Sequence, residues 1–331
     1  MLLSIVVLSY NRPEQLDRIL SSLVGVSDKR VNLIIKDDQS PRFEEIVSVF
    51  NKNKSRLDFE VILHRNEQNL GYDRNLIDAF NITDSKYIFL LSDDDYIEGA
   101  NIENLLSYLE VSNKSIHFTP YFDIDTGCNN RVCLPSEHML INDFADFIYN
   151  SILFSGLIYS REAVLSLNVD MDFLSNCIYS QVYIAVILAY KSKCYGVAPE
   201  GILVLGGDGE NFFGKNKSAK NKDLLSNRHA FTSNLNYQPF LLKTINKVAQ
   251  VTSNEVERVF LREYKKRLVS YGLRARAYGL VNHHDFVVQY LKSKVPFFVL
   301  PFICFLSFYL LPSNFASKLN DIGRKFSRHS G

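Results

Sequence analysis

Three consecutive carboxylates, Asp93-Asp94-Asp95, follow directly on the apolar run KYIFLLS at 86–92. Adjacent carboxylates at a strand end repel one another, and a divalent cation offsets that repulsion well. Hard oxygen donors suit Mg2+ or Mn2+, which need few protein ligands where phosphate oxygens supply the rest. The alternative is a solvated acidic turn that only caps the helix expected at 101–111. A second cluster, Asp37-Asp38-Gln39-Ser40, ends the run VNLIIK at 31–36. A carboxylate there can accept from a base N–H or a ribose hydroxyl, or it can form an ordinary Asx turn. Ser9-Tyr10-Asn11-Arg12 closes the first apolar run, where Tyr10 can lie against a flat base or merely cap a sheet edge. In Asn69-Leu70-Gly71-Tyr72-Asp73-Arg74-Asn75 the glycine permits close backbone approach, and Arg74 suits a phosphate or ribose. Otherwise Arg74 is engaged in a surface ion pair with Asp73 or Asp78.

These clusters need a frame, and the apolar runs supply one. LLSIVVLS at 2–9 is β-rich and apolar throughout, as a strand covered on both faces must be. Pro13 suits the first turn of a helix whose apolar face is Leu16, Ile19, Leu20 and Leu23. Further strands are expected at 31–36, 59–64 and 86–92, with helices near 42–52 and 72–82 between them. Such alternation predicts an α/β fold with a doubly wound, mainly parallel sheet and helices on both faces. Ligands bind such sheets at the carboxyl ends of the strands, where the polar clusters fall. Beyond residue 100 the pattern mixes strands at 115–118, 152–159 and 200–206 with helices at 101–111, 141–150 and 180–190. GENFFGKNKSAKNK at 209–222 reads as a mobile basic loop. From 224 onward the pattern is helical, and Thr252-x-x-Glu255 has the form of a capping box ahead of Val256, Phe260, Tyr264 and Leu268.

A formal net charge of +1 over 331 residues argues against a nucleic-acid partner. The five cysteines match no zinc spacing; Cys128 and Cys133 could bridge within one hairpin, though thiols in a reducing cytosol are the simpler reading. His283-His284 reads as an exposed pair rather than a metal site. The N-terminal run lacks the basic region and cleavage site of a signal peptide, which predicts a cytoplasmic chain. VPFFVLPFICFLSFYLLP at 295–312 carries no charge, but Pro296, Pro301 and Pro312 interrupt it and basic residues flank both ends. A single span would carry one basic flank across, against the positive-inside tendency. The segment is therefore expected to lie in the cytoplasmic leaflet, held by apolar burial and anionic headgroups; a buried core helix or a dimer interface is the alternative.

SYNRPEQL, DDQS, NLGYDRN and SDDD, in this order at three strand ends and one helix start, resemble the donor half of the family-2 glycosyltransferases, which have the GT-A fold. The resemblance is clear over residues 1–100 and weaker over 145–215. It implies a nucleotide-diphosphate sugar and an Mg2+ or Mn2+ cofactor, with Ser9, Tyr10, Arg12 and Asp38 on the nucleotide and Arg74-Asn75 as the family's arginine-asparagine pair. The acidic motif of the family often reads Asp-x-Asp-Asp, which would place Ser92 first. Asp94 and Asp95 then become the metal ligands, and Asp93 a donor-binding residue. LSDDD with NLGYDRN and GGDGENFFGK is most similar to bacterial O-antigen sugar transferases of the abequosyltransferase type, which act on lipid-linked glycans. The implied layout is a GT-A domain over 1–222, with a donor half (1–100) and an acceptor half (101–222). A helical region (223–294) and a membrane-associating segment with a basic tail (295–331) follow. With the apolar segment at 295–312, the expected location is the cytoplasmic face of the inner membrane, by peripheral or monotopic attachment.

One departure concerns the acceptor base. The family usually offers an acidic residue where this chain has Tyr179-Ser180-Gln181-Val182, and an amide cannot take the proton. Either the base comes from elsewhere, with Asp170, Asp172 and Asp208 as candidates, or the stereochemistry is not the family's usual one; Asp208 is preferred, because Gly206-Gly207 lets the chain bend after an apolar strand, although it could equally be a loop turn residue. A nucleotidyltransferase is disfavoured because SYNRPEQL has no glycine to cradle a triphosphate. The absence of G-x-G-x-x-G disfavours a dinucleotide oxidoreductase. A non-catalytic, membrane-docked nucleotide- or glycan-binding protein is the remaining rival, and Gln181 is its best support.

Overall fold

In the computed structural model, β1 (Leu3–Ser9), β2 (Val31–Asp37), β3 (Glu60–Arg65) and β4 (Tyr87–Ser92) run parallel, in the spatial order β4-β1-β2-β3. Residues 1–124, 127–131, 134–206 and 224–328 are described, without the side chains of 224–234, 321 and 323–328. Every residue of β1 and β2 is buried, which explains why both read as unbroken apolar runs. β3 is the edge strand and is largely open to solvent on alternate residues.

The remaining strands are short: β5 (Tyr96–Ile97), β6 (Ile116–Phe118), β7 (Tyr121–Asp123), β8 (Cys128–Asn130), β9 (Leu157–Ser160), β10 (Gly196–Val197) and β11 (Leu203–Leu205). The main sheet is completed in the order β10-β6-β9-β4-β1-β2-β3, with β9 antiparallel to both β4 and β6. β5, β11, β7 and β8 form a second, four-stranded sheet.

Helices α1 (Pro13–Ser22), α2 (Phe43–Lys54), α3 (Gly71–Ala79) and α4 (Ile102–Val111) follow β1 to β3 and β5 in turn. α5 (Phe144–Ser151), α6 (Arg161–Leu165), α7 (Met171–Leu174) and α8 (Ser180–Ser192) complete this part. One core joins Leu3, Ile5 and Val7 of β1 to Leu16, Ile19 and Leu20 of α1 and to Leu105 and Leu109 of α4. The alternate residues, such as Val6, Ile34 and Leu90, are buried on the opposite face. There Phe80 meets Tyr159 edge-on at 5.4 Å, and the Tyr159 hydroxyl donates to the Gln181 carbonyl at 2.9 Å.

Contacts divide the chain into two compact units, Met1–Gly209 and Glu210–Gly331. The second consists of α9 (Leu224–Val251), α10 (Asn254–Ala277), α11 (Leu280–Lys292), α12 (Val299–Phe308) and α13 (Ser313–Arg328). The cap of α10 is Ser253, whose hydroxyl accepts from the Glu255 N–H at 3.2 Å, and not Thr252. Thr252 instead donates to the Val248 carbonyl at 2.7 Å, back into the last turn of α9. His283 and His284 do not form an exposed pair. His283 is fully buried between the carbonyls of Gly272 and Phe305, because it falls on the inner face of α11, while His284 is exposed.

The prolines of 295–312 act as boundaries rather than kinks. Pro301 lies in the first turn of α12, where its missing N–H is no loss, and Pro312 precedes α13. At ten residues α12 is about 15 Å long, half of a bilayer core. Among the described residues no helix is long and apolar enough to cross a membrane. Pro301 and Phe305 of α12 are buried, whereas Val299, Leu300, Ile303 and Leu306 are exposed.

Candidate active site

Strand register brings the polar clusters into one row. Ser9 pairs with Asp37 across β1 and β2, Asp37 with Arg65 across β2 and β3, and Leu8 with Ser92 across β1 and β4. The chain leaves β1 for β2 on one side and returns to β4 on the other. The crevice between β1 and β4 is therefore a topological switch point, where α/β sheets bind ligands. Backbone geometry is unusual at two of the strand ends: Asn11 has φ of 61° and Gln39 of 60°, conformations that cost energy and cluster at functional sites.

Asp93 bridges this crevice. Its carboxylate accepts from the Tyr10 N–H at 3.0 Å and from Arg12 Nη1 at 2.8 Å. The same guanidinium nitrogen is 3.3 Å from Asp94, so Arg12 already offsets part of the repulsion expected within the triplet. Burial pushes the Asp93 carboxyl up to about 6 against the pull of Arg12 and the Tyr10 N–H. Asp94 is oriented by the Ser92 hydroxyl at 2.6 Å, and Arg18 of α1 donates to the Asp94 carbonyl at 2.5 Å. Asp95 accepts from the Gly206 N–H at 3.2 Å. Gly206 can be nothing larger, because a Cβ there would lie 1.9 Å from the Asp94 carbonyl oxygen. Among the described residues there is no group of three acidic, His or Cys side chains arranged to hold a metal ion. One or two aspartates with phosphate oxygens are nevertheless the set that Mg2+ and Mn2+ favour, and every donor here is oxygen.

Asp38 is buried, and its carboxylate is shared among three donors of the chain itself. Oδ1 accepts from Asn66 Nδ2 at 2.8 Å and from the Leu70 N–H at 2.7 Å, while Oδ2 accepts from the Gly71 N–H at 2.9 Å. Its own N–H donates to the Ser9 carbonyl at 2.9 Å. Asp38 thus clips the start of α3 to the ends of β1 and β2, and of its roughly four lone-pair sites one stays open on Oδ2. Lys36, fully buried, donates to Asn66 Oδ1 at 2.5 Å and pairs with Asp78 at 2.9 Å. Asn66 also donates to Asn75 Oδ1 at 2.8 Å, which makes Asn75 part of the same support. Neither acidic neighbour pairs with Arg74: Asp78 is on Lys36, and buried Asp73 accepts from the Ile178 N–H at 2.8 Å. Arg74 is exposed, and so is Tyr10, at 47%. Ser9 is buried, and its hydroxyl has no hydrogen-bond partner among the described residues.

The base candidates fall differently. Asp208, like Cys133 and the segment 209–222, lies outside the described residues. Asp172 is exposed in α7 and makes no hydrogen bond or ion pair among the described residues. Asp170 caps α7, accepting from the Phe173 N–H at 3.0 Å. Gln181 is buried in the first turn of α8, where Oε1 accepts from the Tyr72 hydroxyl at 3.0 Å and Nε2 donates to the Ile152 carbonyl at 2.8 Å. Both ends of this amide are engaged in packing. Sequence reasoning missed Lys36, Asn66 and Arg18. Of these only Lys36 carried a signal, as a charge inside a run too apolar to be exposed.

The stretch of residues 4–157, just under half of the chain, matches the family model for glycosyl transferase family 2. Its fold is the GT-A α/β arrangement, followed in this chain by a helical C-terminal region. The chain is similar to abequosyltransferase RfbV of Salmonella typhimurium, 28% identical over 182 residues that cover 54% of this chain and 52% of that protein. An uncharacterized glycosyltransferase of Methanocaldococcus jannaschii is 31% identical over 112 residues, 33% of this chain and 37% of that protein. The matched region thus spans about half, or less, of each of these relatives. Among solved structures, the mannosyltransferase PcManGT from Pyrobaculum calidifontis, in complex with GDP-Man and Mn2+, superposes with a TM-score of 0.53 at 12% identity. That match covers 92% of this chain and 78% of the other and speaks to the fold alone.

Proposed function

We propose that this chain transfers a sugar from a metal-bound nucleotide diphosphate to a hydroxyl of a lipid-linked bacterial surface glycan, such as O-antigen, at the cytoplasmic face of the inner membrane. The observation that carries this reading is the bridge from Tyr10 and Arg12 to Asp93 across the β1–β4 crevice, which sets Asp94 and Asp95 beside an exposed Tyr10. Asp94 and Asp95 would hold Mg2+ or Mn2+, and such an ion neutralises charge on a departing phosphate as a Lewis acid. The nucleoside lies against Tyr10, with the open site of Asp38 Oδ2 and the hydroxyl of Ser9 as further contacts. Arg74, with no acidic partner among the described residues, contacts the diphosphate, and Asn75 holds the first turn of α3 that presents it. Asp208 takes the proton from the acceptor hydroxyl. It follows Gly206, whose N–H donates to Asp95, by two residues in the sequence. Asp172 is the second candidate. Similarity to an abequosyltransferase supports transfer of a sugar, and the exposed apolar face of α12 supports the membrane site.

Gln181 favours a second reading, a nucleotide- or glycan-binding relative that does not turn over, since its amide cannot act as a base. Incubating the full chain with nucleotide-diphosphate sugars, Mn2+ and a lipid-linked acceptor separates the two. Release of nucleoside diphosphate with a matching gain in acceptor mass supports transfer. Tight nucleotide binding without turnover of any sugar donor supports the second reading.

A further inference from the structure

The helical unit contains a cavity that the donor-site reading does not use. It lies between α10 and α12 and has a volume of about 730 Å3. Arg258, Arg262, Lys265 and Lys266 line one side, at spacings that put them on one face of α10. Leu300, Pro301 and Cys304 of α12 line the other. The helices can approach this closely because Phe305 packs on Gly272, where a Cβ would lie 2.6 Å from the Phe305 ring. Arg258 pairs with Glu255 and Lys266 with Glu263, but both are exposed pairs three residues apart, which hold little. The apolar wall continues onto the surface: Leu300 is 69% exposed, and Ile303 and Leu306 are also exposed.

A ligand that satisfies both walls must be anionic at one end and hydrocarbon at the other. A soluble anion would leave the α12 face in water, and an apolar peptide would offer the basic wall no anionic group. A membrane phospholipid has both parts, and the exposed apolar side of α12, a helix too short to span a bilayer, suits the acyl boundary. We propose that the α10–α12 groove binds the phosphate head of an anionic membrane lipid, with the acyl chains lying along α12. This site rests on the membrane reading above and gives it a specific ligand.

The test uses the full chain with vesicles of phosphatidylcholine alone and of phosphatidylcholine mixed with phosphatidylglycerol. Wild type should prefer the anionic vesicles by at least about tenfold, as expected for a few basic groups near the surface. Arg262→Glu with Lys266→Glu should remove that preference. Lys54→Glu with Lys191→Glu, the same charge change on exposed positions of the first unit, should leave it within about twofold. A short-chain phosphatidylglycerol below its micelle threshold should raise the melting temperature of wild type but not of the groove variant, and inorganic phosphate should raise neither. If the charge reversal fails to fold, Arg262→Gln with Lys266→Gln replaces it. Equal losses in both double variants, an equal effect of inorganic phosphate, or a dimer that buries the groove would overturn the site while leaving membrane docking intact. If wild type binds neither vesicle, the site and the membrane reading fall together.

Discussion

Replacing Asp38 by Asn tests whether this carboxylate holds the donor site together. The amide keeps the shape of the side chain but has only one acceptor oxygen. Its best orientation leaves that oxygen at Oδ1, where Asn66 Nδ2 and the Leu70 N–H both donate, and turns the NH2 toward the Gly71 N–H. One charge-assisted hydrogen bond is then lost, worth about 1.5–3 kcal/mol, and a buried donor faces a donor. The two surviving bonds lose the charge on their acceptor as well. We expect the first unit to be destabilised by about 2–4 kcal/mol. Urea unfolding followed by far-UV circular dichroism measures this. Nucleotide affinity should fall with it, because α3 and Arg74 lose their anchor. An unchanged urea midpoint together with weakened nucleotide binding would refute the clip and make Asp38 a ligand contact only.

Two further outcomes follow from the acidic turn. Gly206→Ala should disturb Asp94 and Asp95 without touching their side chains, since the added Cβ meets the Asp94 carbonyl. Metal-dependent nucleotide binding, read by calorimetry, should drop by at least about tenfold, whereas affinity measured without metal should change little. Asp93 gives a pH signature. Its folded value of about 6 exceeds the ordinary carboxyl range, so its protonated form stabilises the fold at low pH, and that contribution is lost as pH rises through about 6. Metal-dependent nucleotide affinity should run the other way and weaken as pH falls through about 6, and Asp93→Asn should flatten both profiles.

How much of this was legible in the sequence depended on what each residue was packed against. β1, β2 and β4 are buried on both faces, so their apolar runs stood out, and the helices between them kept a clean apolar stripe. β9 was expected over 152–159, but strand begins only at Leu157, because Gly156 with φ of 78° turns the chain just before it. The polar clusters were recognisable, whereas their partners were not. Nothing near Asp38 in sequence shows that its acceptors are taken by residues some thirty positions on, because strand register brings Asn66 and Leu70 to it. Arg18 looked like one more polar residue on an amphipathic helix, and only the fold aims it at the Asp94 carbonyl. The acidic triplet implied a cation; Arg12, eighty-one positions away, supplies part of that compensation. The buried position of His283 depends on the docking of α12 against α10 and α11, which no local pattern records.

The central claim is that the turn at the end of β4 holds a divalent cation for a nucleotide diphosphate, and one calorimetric comparison tests it most directly. Nucleoside diphosphates are titrated into the full chain with Mn2+ and with chelator, for wild type and for Asp95→Asn, whose amide oxygen can still accept from the Gly206 N–H. We expect wild type to bind at least one nucleoside diphosphate at least about tenfold more tightly with Mn2+, and Asp95→Asn to lose that enhancement while binding as wild type does in chelator. Equal affinity with and without Mn2+ in wild type, or an enhancement that survives in Asp95→Asn, would contradict it.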